Sequence, residues 1–219
     1  MDLTRDATAD APIGVLAIQG DYAEHERALA RCGFATRRVR RAADLTGLTG
    51  LVLPGGESTT MLKLAGITGL EEPLAAAVGS GLPVLATCAG LILLARRVVD
   101  PEQRSFGVLD CAVSRNGYGR QLHSGTFPLV TGGAAGLPDP MSGVFIRAPR
   151  IFEVGPAVEV LARRGADPVL IRQGNVLGAC FHPEIERDHP VLALFAAMVR
   201  GERSVLSDSA TVGAGEAPA

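Results

Sequence analysis

PVLATCAGLILLA, residues 83–95, is the stretch on which the fold turns. Its first part, Pro83 to Thr87, is a short apolar run of the kind that forms a strand buried on both faces of a parallel sheet. Its second part, Ala89 to Arg97, predicts a helix. Between them stand one cysteine, Cys88, and the small pair Ala89-Gly90. A strand that turns sharply into a helix at a nucleophile is the elbow of α/β hydrolytic enzymes. The elbow lifts the side chain above the sheet edge. It also aims the free N–H groups of the next helix at the reacting centre, where they favour a thiolate and a developing oxyanion.

Outward from this stretch, strand-like and helix-like segments alternate. Ile13–Ile18 is a second apolar run, and Asp21 with Glu24 outlines a capping box for a helix that Gly33 ends. Ala35–Arg40 fits a strand with Val39 turned inward. Leu51–Leu53 is a very short strand closed by Pro54-Gly55-Gly56, and helices follow from Ser58 and across Leu70–Val78. This spacing predicts βαβ units, helices on both sides of a mostly parallel sheet, and an α/β fold. From Phe106 to Ile151 the chain is rich in Gly, Pro and short β-like pieces, which predicts an antiparallel extension of the sheet plus loops. Val158–Ala162, Val169–Gln173 and Val176–Phe181 are closing strands, the last two joined by a tight Gly174-Asn175 turn. Pro190–Arg200 is a terminal helix. Residues 1–11 are expected to be a disordered leader and 204–219 a disordered tail, leaving one folded domain over 12–203.

Composition narrows the function classes. Aromatic residues make up 4% of the 219 and tryptophan is absent, so the core must be built from Leu, Val, Ile and Ala. The net charge of −2 gives no electrostatic footprint for nucleic acid, and no basic stripe points to a membrane surface. No apolar run reaches the length of a transmembrane helix, and the polar, acidic start is no signal peptide. Cys32, Cys88, Cys111 and Cys180 form no C-x-x-C pair and no zinc pattern. Mostly buried free thiols in a cytoplasmic protein are the simplest expectation.

A cysteine nucleophile needs a base, a group that orients the base, and donors for the oxyanion. His182 is the base candidate, because it follows an apolar strand. Pro183 is expected to keep the segment extended, which would set Glu184 on the same side as His182 to accept its second N–H. His25, His123 and His189 are expected to be surface or capping residues. Oxyanion donors are expected from the backbone of Ala89 and of the Gly55-Gly56 turn, since glycine lets a backbone approach a ligand closely.

The set LPGGES (53–58), TCAG (87–90) and FHPE (181–184), in this order, resembles the class I glutamine amidotransferases. With LAIQGDYAEH (16–25), PGGESTTM (54–61), SRNGYGRQ (114–121) and GVFIRAPRI (143–151), the chain is similar from Ile13 to Arg200 to the family of glutaminase subunits of pyridoxal 5′-phosphate synthases. The resemblance implies a flavodoxin-like, three-layer fold and a Cys88-His182-Glu184 triad that hydrolyses L-glutamine to glutamate and ammonia. It implies glutamine binding by Gly56, Glu57, Ser58, Arg115, Ile146 and Arg147, with no metal or organic cofactor. An arginine suits the α-carboxylate of glutamine, which it can meet through paired charge-assisted hydrogen bonds. The implied partner is a synthase subunit that combines the ammonia with a pentose phosphate and a triose phosphate, in a large ring-based assembly. The Gln19-Gly20 loop is where partner contact is expected to influence the oxyanion site.

One position departs from the family pattern. Class I members usually carry glycine two residues before the nucleophile, and here that residue is Ala86, the next smallest side chain, so a tolerable change at the elbow is expected. Two other readings stand beside the glutaminase. One is a different Cys-His-acid hydrolase, such as a peptidase or a γ-glutamyl hydrolase, against which the Arg115 and FIRAP blocks argue. The other is a silent binding subunit, which the complete triad disfavours.

Overall fold

Residues 11–118 and 124–202 are described in the structure, a computed structural model. The expected leader and tail lie largely outside these residues, as do His123 and the end of the 114–121 block. Apolar runs form the centre. Ile13–Leu16 (β1), Thr36–Val39 (β2), Gly50–Leu53 (β3), Val84–Thr87 (β4) and Val176–Ala179 (β12) run parallel, in the order β2-β1-β3-β4-β12. β1, β3, β4 and β12 are buried along their whole length, which is why their sequences show no polar alternation.

The sheet continues beyond β12 through two antiparallel strands, Asp167–Gln173 (β11) and Glu159–Arg164 (β10). The β11–β12 hairpin turns at Gly174, whose φ of +55° needs glycine or a residue tolerant of the left-handed region.

Helices Tyr22–Arg31 (α1), Ser58–Ile67 (α2), Glu71–Gly79 (α3), Ala89–Leu94 (α4) and Pro190–Arg200 (α5) complete the three layers. Glycine environments fix two of them to opposite faces. A Cβ on Gly50 would stand 2.9 Å from Val199 and 3.3 Å from Phe195, both on α5, while one on Gly178 would stand 2.8 Å from Leu91 on α4. Gly50 and Leu51 point to opposite sides of the sheet. Leu51, Val84, Leu53, Ala86 and Gly178 share one side through their pairing. Leu91, Leu93 and Leu94 on α4 and Leu192, Leu194 and Phe195 on α5 are buried against these faces. Each such side chain contributes about 1.5–3 kcal/mol on burial.

Three expectations are corrected. The helix after Cys88 does not run to Arg97. It ends at Leu94, and Ala95–Val99 (β5) is a strand pairing parallel with Leu109–Ser114 (β6). Pairing outside the helix decides this: Arg96 reaches Asp110 at 2.6 Å and Glu153 at 2.5 Å, across the sheet β5-β6-β9 completed by Arg150–Val154 (β9). The 106–151 region is therefore not an extension of the main sheet. It forms this second sheet and a separate hairpin of Gly125–Leu129 (β7) and Met141–Phe145 (β8). The Asp21–Glu24 capping box does not form either. The Asp21 side chain makes no cap, and Glu24 pairs with Arg27 one turn on.

Candidate active site

Four adjacent parallel strands release their chains at one edge, and the triad and the glycine turn come from there, while Arg115, Ile146 and Arg147 follow strands of the two smaller sheets. β1 leads into Gln19-Gly20-Asp21, β3 into Gly55-Gly56-Glu57, β4 into Cys88, and β12 into His182 and Glu184. Carboxyl ends of parallel strands are where open α/β sheets gather ligands.

Cys88 takes φ 47° and ψ −102° between β4 and α4. A non-glycine residue at positive φ is strained at a cost of order 1–3 kcal/mol and persists only where its surroundings hold it. Here they do. The Cys88 N–H donates to Ala179 O at 2.8 Å, its carbonyl accepts from Ile92 at 3.2 Å, and Gly90 N–H donates to Pro54 O at 3.1 Å. A Cβ at 90 would overlap the Leu53 carbonyl, so the glycine of TCAG lets α4 rest on β3. Ala86 is accommodated as an ordinary buried strand residue. Its partner on β12 is Gly178, so the space at this level of the sheet is opened by the neighbouring strand.

The His182 ring interacts with both the Cys88 side chain and Glu184. Nδ1 stands 2.7 Å from Glu184 Oε1. The two residues do not lie along an extended segment as expected. Residues 182–185 form a turn in which Ile185 N–H donates to His182 O at 3.4 Å, and the turn brings the carboxylate beneath the ring. Both side chains are buried. Burial alone would depress the His182 imidazolium, yet its interactions with Cys88 and Glu184 outweigh it and push its pKa up to about 10. Burial likewise pushes Glu184 up, and the imidazoles of His25 and His182 overcome this to hold it below the ordinary carboxylate value.

Gly55 packs against the Cε1 edge of the His182 ring. A Cβ there would come well inside 3.0 Å of ring Cε1 and stand 3.1 Å from Nδ1. The glycine turn is clamped from β1: Asp21 N–H donates to Gly55 O at 3.1 Å, and Gln19 Oε1 accepts from Glu57 N–H at 2.8 Å.

Beside Cys88 a cavity of about 130 Å³ is lined by Gly56, Glu57, Ser58, Ile92, Arg115, Asn116, Ile146 and Arg147. All six residues anticipated for glutamine binding thus meet at one cavity. Ile92 and Asn116 were not singled out, although both lie inside quoted blocks, because nothing local marks them apart from their neighbours. Glu57 caps α2 through Thr59 and Thr60 N–H and meets Arg115 Nη2 at 2.9 Å. Burial raises its pKa, but the hydrogen bonds from Thr59 and Thr60 outweigh that and bring it down to about 2. Ser58 is buried and donates to Gln103 Oε1 at 2.9 Å. Arg147 takes φ 44° in the loop between β8 and β9, with its N–H on Ser124 Oγ at 3.2 Å. A larger cavity of about 730 Å³ lies at the opposite end of the strands, around Leu48, Pro83 and Val199, away from all these groups.

Of two further histidines, one meets the expectation of a capping role and one departs from it. His189 does cap α5, its Nδ1 accepting from Val191 N–H at 3.2 Å, although it is buried. His25 is not on the surface. It is fully buried on α1, with Nε2 3.1 Å from Thr87 Oγ1 and 3.4 Å from Glu184 Oε2. The signal was present, since His25, Ala28 and Leu29 share one helix face and are all buried. Asp21, His182 and Glu184 are the one group of three metal-ligand side chains that converge, within 4.8 Å, among the described residues. Two of them already bond each other and Asp21 is exposed, so the group does not present a vacant set of ligands.

Residues 15–201 match the SNO glutamine amidotransferase family. The chain is 50% identical over 194 residues to pyridoxal 5′-phosphate synthase subunit PdxT of Streptomyces avermitilis, covering 88% of this chain and 96% of that one. It is 48% identical over 195 residues to the PdxT subunit of Geobacillus thermodenitrificans, covering 89% and 98%. A solved glutamine amidotransferase is similar at a TM-score of 0.78 and 45% identity, over 86% of this chain and 98% of that one. A Thermoplasma acidophilum protein described as a GMP synthase subunit shares the fold at a TM-score of 0.65 and 18% identity, over 89% and 96%.

Proposed function

The chain belongs to the SNO glutamine amidotransferase family, and from that premise we propose that it is the glutaminase subunit of a pyridoxal 5′-phosphate synthase. It hydrolyses L-glutamine to glutamate and ammonia and hands the ammonia to its synthase partner. The observation that carries this reading is the convergence of Cys88 and the hydrogen-bonded His182-Glu184 pair on a small charged cavity.

Cys88 Sγ attacks the side-chain carboxamide carbon, with His182 as the general base and acid and Glu184 orienting it. The backbone N–H groups of Gly56 and Ala89 receive the oxyanion. His182 gives its proton to the departing ammonia, leaving a γ-glutamyl thioester. It then takes a proton from water as that water attacks the same carbon, releasing glutamate and the Cys88 thiol. At the other end of the substrate, Arg115 and Arg147 face the α-carboxylate and ionised Glu57 suits the α-ammonium, with Ser58 and Ile146 completing the walls. The cavity, small and lined by both signs of charge, fits a free amino acid better than a peptide. The four cysteines are free, in keeping with a cytoplasmic enzyme. Among the described residues no helix is long and apolar enough to cross a membrane.

The partner is a ring-forming synthase subunit that receives the ammonia. The Gln19-Gly20 loop, which clamps the glycine turn, is where its docking acts on the oxyanion site. The test is ammonia release from glutamine, with and without the cognate synthase, for wild type and Cys88→Ala. Release in the presence of the synthase that disappears in Cys88→Ala is expected. Turnover that survives the substitution refutes the mechanism, and absence of turnover with the synthase refutes the function.

A further inference from the structure

We infer that His25, on α1, is a positioning residue for this reaction: its imidazole holds the second oxygen of Glu184 so that the first stays on His182. The inference rests on the glutaminase reading above. Glu184 stands between two rings, with Oε1 2.7 Å from His182 Nδ1 and Oε2 3.4 Å from His25 Nε2. Oε2 is buried and has no hydrogen-bond partner, its contact with His25 at 3.4 Å being a close approach only. A buried carboxylate oxygen without a donor is costly, so the neighbouring imidazole N–H is its natural partner.

The protonation of His25 follows from its surroundings. The groups facing it are Glu184, His182, Asp21, Glu24 and the Thr87 hydroxyl. Burial is the largest influence and lowers its pKa, which keeps the ring neutral with a single N–H. Nδ1 is buried with no partner. A proton on Nδ1 would leave a donor stranded and turn the Nε2 lone pair towards a carboxylate. The proton therefore sits on Nε2, between Glu184 Oε2 and Thr87 Oγ1, 3.1 Å away. Thr87 immediately precedes Cys88, so the contacts close a ring through Cys88, His182, Glu184, His25 and Thr87. A carboxylate held at both oxygens cannot swing and carry the His182 ring off the thiol. The same helix follows the Asp21 turn that clamps Gly55, so His25 also ties Glu184 to the element bearing on the oxyanion loop.

The deciding comparison sets His25→Leu, which keeps the bulk and loses the N–H, against His25→Gln, whose amide N–H reaches roughly as far as Nε2. Glutamine kcat and KM are measured with the synthase present, beside the thermal midpoint. Separately, the rate of Cys88 alkylation by iodoacetamide is followed from about pH 5 to 9 by peptide mapping, since it reports the thiol–imidazole pair without turnover. His25→Leu is expected to lose about 10- to 100-fold in kcat with KM within about twofold, and to alkylate more slowly near neutral pH. His25→Gln should recover most of both.

Wild-type kcat and alkylation in His25→Leu overturn the inference. So does an equal loss in both variants that follows the thermal midpoint, because that marks a role in packing alone. If His25→Leu does not fold, His25→Asn, whose amide is too short to reach Glu184, replaces it, and equal kcat in the Asn and Gln variants overturns the inference. If wild type releases no ammonia at all, the glutaminase reading fails and the alkylation profiles alone decide the role of His25.

Discussion

Gly55→Ala separates the position of His182 from every other property of the site. Gly55 is not at positive φ, so alanine carries no backbone penalty there. Its methyl would come well inside 3.0 Å of His182 Cε1, whereas ordinary contact begins near 3.4 Å, so the ring must retreat by about 1 Å. The ring cannot swing aside freely: it is buried, bonded to Glu184 at 2.7 Å, and carried on a backbone whose N–H is fixed to Val144 O at 2.8 Å. A misplacement of about 1 Å at a proton-transferring group costs on the order of 100-fold in rate, or about 2.7 kcal/mol of barrier.

The assay is steady-state glutamine hydrolysis by the complex with the synthase, with a denaturant titration of the variant alone. Gly79→Ala is the control, because it lies in α3 with open space around it and no positive φ. Gly55→Ala should lose kcat about 100-fold with little change in KM, and the control should match wild type. Wild-type kcat in Gly55→Ala would show that His182 tolerates the displacement and refute the geometric account of the triad.

Two further outcomes are expected. His182 is held protonated up to about 10 against an ordinary 6.5, so its contribution to stability is complete below pH 6.5 and is lost as pH rises towards 10. Cys88→Ala removes one of the two partners that raise it, so unfolding free energy in urea should fall less steeply over that window than in wild type. Identical slopes contradict the assignment. Arg115→Ala should raise KM for glutamine about tenfold or more while changing unfolding free energy by under about 1 kcal/mol, because its ion pair with Glu57 is half-exposed on the carboxylate side. An unchanged KM removes Arg115 from the substrate site.

The parallel core was legible because strands buried on both faces are continuous apolar runs, and IGVL, GLVL and VLAT are unmistakable. Cys88, the glycine turn and His182 were legible because each follows such a run, so the topology alone carries them to one edge. Reading failed where distant partners decide. ARRVV after the elbow has no local reason to leave the helix, and it does so because β6 is beside it and Asp110 and Glu153 await Arg96. Glu24 looked like part of a cap, but Arg27 on the same helix face takes it. His25 reads locally as a surface or capping residue because its partners, Thr87 and Glu184, lie 62 and 159 positions along the chain.

By itself the sequence determined the α/β class, the elbow at Cys88, and which residue types meet at the carboxyl edge of the sheet. Periodicity and turn chemistry act over a few residues, and a parallel sheet converts that local order into a shared edge. The tertiary structure alone decided how those groups are held. It set the φ of 47° at Cys88, the turn that brings Glu184 under His182, the pairing of Arg115 with Glu57, and the burial of His25 against the second oxygen of Glu184. Burial and charge pairing are sums over neighbours from four strands and their loops, and no window of sequence contains them.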